Sequence, residues 1–476
     1  MPIAKLSGDS GGAGYTERSG AAVCGRLLHI AGVFLLMQVR MIVPALTAQL
    51  KRDVDRRNRC FGEVIACAAE RLGPVFVKAA QMISYRTDLL PASLLAPIAR
   101  LQERVEPLPR GEARRVLEWA LGAPTTSVFE DFEEEPIACG SIASVHRATT
   151  RGGELVAVKI VRPGIKERID VDLACLYSIV VRLARTRFAA GMPVMEIFSA
   201  IAHMISDQAN MIEEARNLHV LRQSVASVRG VTIPRARTEV ALTPDLLVMD
   251  FVGDNFPISA KNLPEAAFKT AAQKILQVVY RMIFVERLVH CDLHPGNVRA
   301  SADGTAYLFD AGLAVTLTVE DSDCFRDFFV ALAMANAEAV SKAIIRSAAN
   351  IPAGFQRAVF DVEVAKLVRA YTGRTAGSFL VVEFVYRVFA LQRKHGLYGA
   401  PGFVTAIWAL IMFEGIVRER YPELDFQAAA RPFALASMLR TQPAAQPGRR
   451  MEGVRAAEPS PQGRDRTPSA ADRAAR

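Results

Sequence analysis

Apolar and polar positions follow a helical spacing over most of the chain, and one region breaks that spacing. Apolar residues recur every three or four positions in residues 21–70, 71–104 and 164–228, which predicts helices. Residues 128–162 instead alternate in short runs, which predicts the strands of a small antiparallel sheet. Helical spacing returns over residues 253–436. The pattern therefore predicts one small β-rich unit between helical segments.

Local signals refine the boundaries of these elements. Arg151-Gly152-Gly153 supplies a hairpin turn, and the strand after it ends in Val156-Ala157-Val158-Lys159. Lys51–Arg59 has the composition of an exposed, charged turn. A short helix is expected at Gly111–Leu121, and its apolar face is predicted to contain Val116, Trp119 and Ala120. The hairpin places a lysine at the end of a buried strand.

Shifts in composition divide the chain into five parts. Residues 1–20, which are rich in Gly and Ser, and the basic tail 441–476 are predicted to be disordered. Residues 21–110 are expected to form an N-terminal helical extension, and residues 111–252 a β-rich lobe with inserted helices. Residues 253–440 are expected to form a larger helical lobe. The predicted fold class is α+β, with two lobes and an N-terminal helical extension.

Charge and composition exclude some classes of function. Hydrophobic residues make up 51% of the 476 residues and charged residues 22%, which is typical of a globular protein. The net charge is +9, and the basic tail accounts for part of it. Because no basic patch is interleaved with aromatic residues, a nucleic-acid partner is not expected. An anionic membrane surface or a phosphorylated ligand suits this diffuse positive charge better.

The cysteines and the apolar segments of the chain indicate the cellular location of the protein. The seven cysteines are scattered without a Cys-x-x-Cys pair, so neither a disulfide framework nor a zinc site is indicated, and a cytoplasmic location is expected. The run Leu27–Met37, which continues to Leu50, is too short and too charged for a membrane span. We interpret it as an amphipathic helix that packs on the domain or, alternatively, lies on the inner face of a membrane. Phe403–Val417 contains Glu414 and is interpreted as a buried helix.

The strongest chemical signal is the segment His290–Asn297, which is followed by Leu308–Gly312. An Asp, an Asn five residues later and a second Asp before a Gly form the polar layout of a kinase phosphotransfer site. In that layout Asp292 orients or deprotonates the acceptor hydroxyl, while Asn297 and Asp310 bind Mg²⁺. His290 is expected to support the loop rather than to act as a base or a metal ligand.

The β-rich lobe supplies candidates for phosphate binding. Lys159 is expected to reach the α- and β-phosphates of ATP, and a carboxylate is expected to hold its ammonium group. Glu213 and Glu214 are the candidates for that carboxylate, and Glu214 is favoured. The turn before the lysine strand contains small residues that let backbone N–H groups approach phosphate, chiefly Ala138, Gly140 and Ser141.

A further segment carries a family resemblance. Gly73–Pro91 resembles the K-x-G-Q extension of the UbiB-type (AarF-like) atypical kinases, with Lys78 and Gln81 at the Lys and Gln positions. The resemblance covers roughly residues 60–425 and includes the alanine-rich loop, the Asp292 loop and the late helix at Phe413–Val417. It implies a protein-kinase-like bilobal fold, binding of ATP and Mg²⁺, and a role in isoprenoid-quinone or related lipid metabolism.

The chain departs from the family pattern beside the active site. Ala80 replaces the Gly of K-x-G-Q, and Ala311 replaces the Phe of the usual Asp-Phe-Gly. Gln208 and Asn210 stand where the family has the two acids of an E-x-D motif, and Gly140 replaces a usual Ala. We interpret the nucleotide site as kept and the extension as altered.

Three functions follow from this interpretation. The first is an ATP- and Mg²⁺-dependent atypical kinase or ATPase that acts on a lipid or an isoprenoid-quinone precursor. The second is a non-catalytic pseudokinase scaffold, which the substitutions at Ala80, Gln208, Asn210 and Ala311 suggest. The third is a small-molecule phosphotransferase, because the loop around Asp292 also resembles that of aminoglycoside and choline kinases. Those enzymes do not carry the segment Lys78–Pro91.

Overall fold

The structure is a computed structural model that describes residues 24–37, 39, 53–84, 86–101, 107–226, 228–371 and 379–438. The two segments predicted to be disordered, residues 1–20 and 441–476, lie outside the described residues. The described residues include every candidate site residue named above.

The helices occupy most of the described chain. They are α1 (24–37), α2 (Val54–Leu72), α3 (Pro74–Ser84), α4 (Ala92–Ile98), α5 (Glu112–Leu121), α6 (Ile165–Ala184), α7 (Val194–Asp207), α8 (Met211–Val225), α9 (Glu265–Tyr280), α10 (Val319–Ala333), α11 (Ala337–Arg346), α12 (Arg357–Tyr371), α13 (Val381–Lys394), α14 (Pro401–Val417) and α15 (Phe426–Met438). A π-helical turn, Arg281–Glu286, continues α9 toward the candidate site.

Within the described part of the chain, the strands form one larger sheet and three small ones. They are β1 (Phe129–Cys139), β2 (Ala143–Thr150), β3 (Leu155–Val161), β4 (Val231–Thr232), β5 (Leu242–Thr243), β6 (Leu246–Asp250), β7 (Phe256–Pro257), β8 (Leu288–His290), β9 (Val298–Ala300), β10 (Ala306–Leu308), β11 (Ala314–Thr316), β12 (Ala348–Asn350) and β13 (Tyr398–Gly399). The larger sheet is antiparallel, with the order β1-β2-β3-β6-β5.

The central strands β3 and β6 of the larger sheet are buried on both faces, and their side chains alternate between the two faces. On one face, the apolar residues of β3 pack with those of β6 against α5; these β3 residues are Val156, Val158 and Ile160. On the other face, Ala157 and Val161 join the main core, and Lys159 lies between them in the strand. The predicted β-rich lobe is confirmed, and its geometry directs the lysine away from α5.

Two of the boundary predictions were wrong in detail. Helix α5 buries Ala113 and Leu117, whereas Trp119, predicted to be on the apolar face, is 71% exposed. The segment Lys51–Arg59 is not a turn in its described part, because α2 already begins at Val54. Asp53 caps this helix by accepting a 2.8 Å hydrogen bond from the backbone N–H of Arg56.

The larger lobe is helical, as predicted, and its core is continuous with the inner face of the sheet. The helix expected at Phe403–Val417 is α14, and Glu414 is buried within it. Its carboxylate accepts the N–H groups of Val381 and Val382 at 2.9 and 2.7 Å, and thereby caps the first turn of α13. Within the described residues, no helix is long and apolar enough to cross a membrane.

A buried polar contact joins the N-terminal extension to the helical lobe. The guanidinium of Arg86 donates two hydrogen bonds, of 2.8 and 2.7 Å, to the carboxylate of Asp88. Arg86 also donates to the carbonyl of Gly399, and Asp88 accepts the N–H of the same glycine. Arg393 donates to the carbonyls of Thr87 and Leu90. The extension is therefore fixed on the helical lobe immediately after α3, the helix that carries Lys78.

Candidate active site

Hydrogen bonds of the buried side chain of His290 hold the loop between β8 and β9. His290 Nδ1 accepts the backbone N–H of Asp292 at 3.2 Å, so its Nε2–H is left to donate to the carbonyl of Phe309 at 3.2 Å. Burial lowers the pKa of His290, which keeps the ring neutral in this double contact. His290 therefore joins the Asp292 loop to the residue before Asp310, in the supporting position expected from the sequence.

Asp292 and Asn297 are joined within that loop. The side-chain amide of Asn297 donates to the backbone carbonyl of Asp292 at 3.0 Å and approaches its Oδ2 at 3.5 Å. The backbone N–H of Phe309 donates to the carbonyl of Asn297 at 2.9 Å, which brings the segment after β10, with Asp310, alongside the loop. The Nδ1 atom of His294 accepts the N–H of Gly296 at 3.0 Å and so shapes the same loop. The structure therefore brings Asp292, Asn297 and Asp310 together.

Lys159 lies between two carboxylates. Its ammonium nitrogen is 2.6 Å from Glu214 Oε1 and 3.0 Å from Asp310 Oδ1. Glu214 is on α8 and is fully buried. The side chain of Asp310 remains 39% exposed at the place where the two lobes meet beside Lys159, hereafter called the cleft. The favoured carboxylate partner, Glu214, is in contact with the lysine; Glu213 instead pairs with Arg216 on the same helix.

The charges of Lys159, Glu214 and Asp310 shift one another's pKa values by different amounts. Burial raises the pKa of Glu214, and the charge of Asp310 adds to this rise, although Lys159 opposes it. For Asp310, the charge and hydrogen bond of Lys159 and the N–H of Gly312 outweigh burial and lower the pKa of its carboxyl. Burial alone would lower the pKa of Lys159, but the two carboxylates raise it above its usual range. Asp310 is therefore the ionised carboxylate that faces the cleft.

The predicted phosphate loop is a tight hairpin between β1 and β2. Ala138 lies in the last part of β1, and the N–H of Gly140 donates to the carbonyl of Ala143 at 2.8 Å. Arg162 donates to the carbonyl of Gly140 at 2.9 Å and so holds the hairpin from the other side. Ser141 lines a small crevice that Lys78 also lines. The phosphate-binding role of Ala138, Gly140 and Ser141 stays a prediction.

The extension reaches the site through one of its two predicted residues. Lys78 Nζ is 3.5 Å from Asp292 Oδ2, so the lysine of the extension faces the candidate base. Gln81 does not reach the site; its side chain donates to the carbonyl of Leu101 at 2.9 Å. Ala80 packs in the core of the extension. The two residues are three positions apart on α3, but only Lys78 points to the cleft.

The two amides at the expected acidic positions have other surroundings. Asn210 caps α8, because its Oδ1 accepts the N–H of Ile212 at 3.2 Å. Gln208 ends α7, and its Oε1 is buried without a hydrogen-bond partner among the described residues. Both positions therefore lack a carboxylate, and Lys78 contacts the carboxylate of Asp292.

One residue of the site had no assigned role at the sequence level, although it ends the segment Glu214–Asn217, which matches the family's Glu-Ala-x-Asn motif. Asn217 donates from its side-chain amide to the carbonyl of Ala311 at 2.9 Å, directly beside Asp310. The available signal was its position three residues after Glu214, which places both side chains on the same face of α8.

The donor set fits a hard divalent cation. Mg²⁺ prefers oxygen ligands and takes few from the protein when phosphates supply the others. The ionised carboxylate of Asp310 and the amide oxygen of Asn297 are of this kind. No cluster of three or more His, Cys, Asp or Glu side chains suited to a metal occurs among the described residues. A site built from Asp310 and Asn297 therefore depends on ligands from a bound nucleotide.

Comparison with known proteins identifies relatives of this chain. The family model described as ABC1 atypical kinase-like domain matches residues 100–344, just over half of the chain. A protein named "Probable protein kinase UbiB" from Pseudomonas aeruginosa is 30% identical over 380 residues, which cover 78% of this chain and 71% of that protein. The protein of the same name from Marinobacter nauticus is 29% identical over 381 residues, covering 78% and 69%.

A solved structure is also similar, the complex of Rv3197 with erythromycin from Mycobacterium tuberculosis. It is 18% identical in sequence, with a TM-score of 0.46, and the match covers 84% of this chain and 98% of that one. The family match and the UbiB relatives agree with the resemblance carried by Gly73–Pro91 and by the Asp292 loop. The chain belongs to the family of ABC1-domain, UbiB-type atypical kinases.

Proposed function

We propose that this protein binds ATP with Mg²⁺ and acts as an atypical kinase or ATPase. The observation that carries the proposal is the convergence of five polar residues in one cleft between the lobes: Lys159, Glu214, Asp292, Asn297 and Asp310. Each has the charge and the neighbour that phosphotransfer chemistry requires.

Each residue has a distinct role in this proposal. Lys159, held by Glu214, neutralises charge on the α- and β-phosphates. Asp310 and Asn297 would hold Mg²⁺ through their side-chain oxygens, and the bound metal would neutralise phosphate charge. Asp292 accepts the proton of, or orients, the attacking hydroxyl or water. In the described structure Lys159 contacts Oδ1 of Asp310, so the lysine and the proposed metal ligand are neighbours.

Nucleotide binding tests this proposal. We expect wild type to bind ATP by isothermal titration calorimetry in the presence of Mg²⁺, and binding to weaken at least about tenfold in Lys159→Ala and in Asp310→Asn. Lys342→Ala, which removes an exposed lysine of α11, is the matched control and should bind as wild type does. Wild-type affinity in both site variants would contradict the proposal.

We further propose that the acceptor is a lipid or an isoprenoid-quinone precursor, and that the protein meets the cytoplasmic face of a membrane peripherally. Helix α1 supports this location because it is apolar on two sides. Ile30, Val33 and Met37 are buried against the extension, while Leu28 and Leu35 are 73% and 65% exposed. An exposed apolar helix face of this kind suits a membrane surface.

A second candidate function, a non-catalytic scaffold, is favoured by the position of Lys78. Its ammonium group pairs with Asp292, the group that would receive the acceptor proton. A protein that keeps this contact in its working state would bind nucleotide without using it. Thermal stabilisation by Mg·ATP with no turnover, even with liposomes present, would favour the scaffold over the enzyme.

A further inference from the structure

We infer that Asn217 is a positioning residue that holds the metal-binding turn Asp310–Gly312 on helix α8; this inference rests on the proposed function. The side-chain amide of Asn217 donates to the carbonyl of Ala311 at 2.9 Å. That carbonyl belongs to the residue directly after Asp310. The hydrogen bond therefore acts on the backbone that aims the Asp310 carboxylate, without contacting the metal or the nucleotide.

The turn needs such a support for two reasons. Asp310 has a φ of 53°, in the left-handed region that residues other than glycine adopt only when their surroundings hold them there. In addition, Ala311 occupies the position where the family has Phe, so the turn lacks a large side chain to anchor it. Ala311 is fully buried, and its small side chain leaves the carbonyl as a polar point of attachment.

The turn lies directly against α8. A Cβ atom built on Gly312 would be 3.1 Å from Asp310 Oδ1 and 3.3 Å from Glu214 Oε2. Because this space is already filled by the two carboxylates, only a glycine fits without displacing them. The N–H of Gly312 donates to Asp310 Oδ1 at 3.1 Å, which fixes the carboxylate relative to the turn.

One helix therefore positions both halves of the site. Glu214 and Asn217 are three residues apart on α8 and face the same side. Glu214 holds Lys159, the phosphate ligand, and Asn217 holds the turn that carries Asp310, the metal ligand. A movement of α8 would displace the phosphate ligand and the metal ligand together, which makes α8 the element that couples them.

A measurement of metal affinity distinguishes a residue that positions the metal ligand from one that only stabilises the fold. In Mn²⁺ titrations followed by electron paramagnetic resonance, with ATP present, we expect Asn217→Ala and Asn217→Asp to raise the metal dissociation constant roughly tenfold. Asn217→Asp keeps the shape but removes the N–H donor and adds a negative charge, whereas Asn217→Ala removes the donor without adding charge. A weaker metal affinity in both variants therefore reports the lost hydrogen bond. The affinity for ATP without metal should change less than about twofold, because Lys159 and Glu214 are untouched.

Gln223→Ala is the matched control, because it removes an exposed amide two turns farther along α8. Thermal unfolding of each variant establishes whether it is folded at the temperature of the titration. If Asn217→Ala is unfolded at that temperature, the test uses Asn217→Asp. Wild-type metal affinity in the folded Asn217 variants would overturn the inference and leave the proposed function standing. A wild-type protein that binds no metal with ATP would instead overturn the proposed function and, with it, the inference.

Discussion

The ammonium group of Lys159 contacts two carboxylates, those of Glu214 and Asp310. These contacts influence the ionisation of both carboxylates. Asp310 is partly exposed and keeps its negative charge, while Glu214 is buried with its Oε2 lacking a hydrogen-bond partner among the described residues. An ionised carboxylate is costly in such surroundings. Burial therefore disfavours the ionised form of Glu214, whereas Lys159 and the N–H of Gly312 favour the ionised form of Asp310.

The raised pKa of Glu214 predicts a pH-dependent stability difference. Its pKa in the folded protein lies above its ordinary value of 4.5, so the folded state binds more protons than the unfolded state above that pH. The stability that Glu214 contributes is fully present below pH 4.5 and declines as the pH rises through the raised pKa. Glu214→Gln, which does not titrate, should therefore gain stability relative to wild type as the pH increases from 4.5 toward neutrality.

Thermal unfolding of the two proteins across this pH range measures the difference. The melting temperature of wild type minus that of Glu214→Gln should fall with increasing pH. The comparison isolates Glu214 because all other titrating groups are common to both proteins. A difference that is constant with pH, or that grows, would contradict the assignment.

The sequence predicted the site residues unevenly. Asp292, Asn297 and Asp310 could be found because their roles depend on short spacings within the chain. Glu214 lies 55 residues from Lys159 in sequence, so no short spacing joins the two, and Glu213 stays an alternative at the sequence level. The contact of Asn217 could not be predicted, because it depends on the direction of the Ala311 carbonyl, which tertiary packing sets.

At the scale of elements, the segment between α3 and α4 holds the extension in place. The Arg86–Asp88 pair is buried, and both partners also bond to the backbone of Gly399. Removing one member of a buried pair leaves the other charge uncompensated, which costs more than the pair itself contributes. The position of Lys78 over Asp292 depends on this contact.

Asp88→Asn should therefore destabilise the protein strongly. We expect the free energy of unfolding to fall by about 3–5 kcal/mol, because Arg86 keeps its charge in a buried position. Urea denaturation followed by circular dichroism measures the change. Glu338→Gln, which breaks an exposed pair with Lys342 on α11, is the control and should have a much smaller effect. Equal effects of the two substitutions would show that the Arg86–Asp88 contact does not fix the extension.

Helix α1 carries the prediction about membranes. Leu28→Glu combined with Leu35→Glu should reduce co-sedimentation with vesicles of phosphatidylcholine and phosphatidylglycerol by about tenfold or more, since each leucine loses the gain from burial in the membrane. Leu155→Glu is the matched control, because Leu155 is 51% exposed in the β-rich lobe. Undiminished vesicle binding by the double variant would remove α1 from the proposed membrane contact.

Elements were predicted well where periodicity is strong and less well where two patterns compete. The hairpin at Arg151-Gly152-Gly153 and helix α14 follow directly from turn residues and apolar spacing. In α5, Ala113 and Leu117 form one apolar stripe and Val116 and Ala120 another, and the position of the sheet decides which is buried. In α2, a high density of charge concealed the first turns of the helix, whose capping residue, Asp53, was a usable signal.

At the scale of the whole molecule, the N-terminal extension and the two lobes meet at the same cleft. The β-rich lobe supplies Lys159 and α8 supplies Glu214, while the helical lobe supplies Asp292, Asn297 and Asp310. The extension adds Lys78, which faces Asp292. This arrangement could be predicted as a two-lobed fold from the order of its motifs. The contact of Lys78 with Asp292 could not, because the resemblance implied only that the extension lies near the site.

ATP turnover by the purified protein is the most direct test of the central claim, that the cleft is a working Mg·ATP site. Phosphate release would be measured for wild type and for Asp310→Asn, with and without liposomes, at saturating Mg²⁺. We predict turnover by wild type that liposomes stimulate and that falls to background in Asp310→Asn, because the metal loses its carboxylate ligand. Equal turnover by the two proteins, or no turnover by a wild type that binds Mg·ATP, would contradict the account.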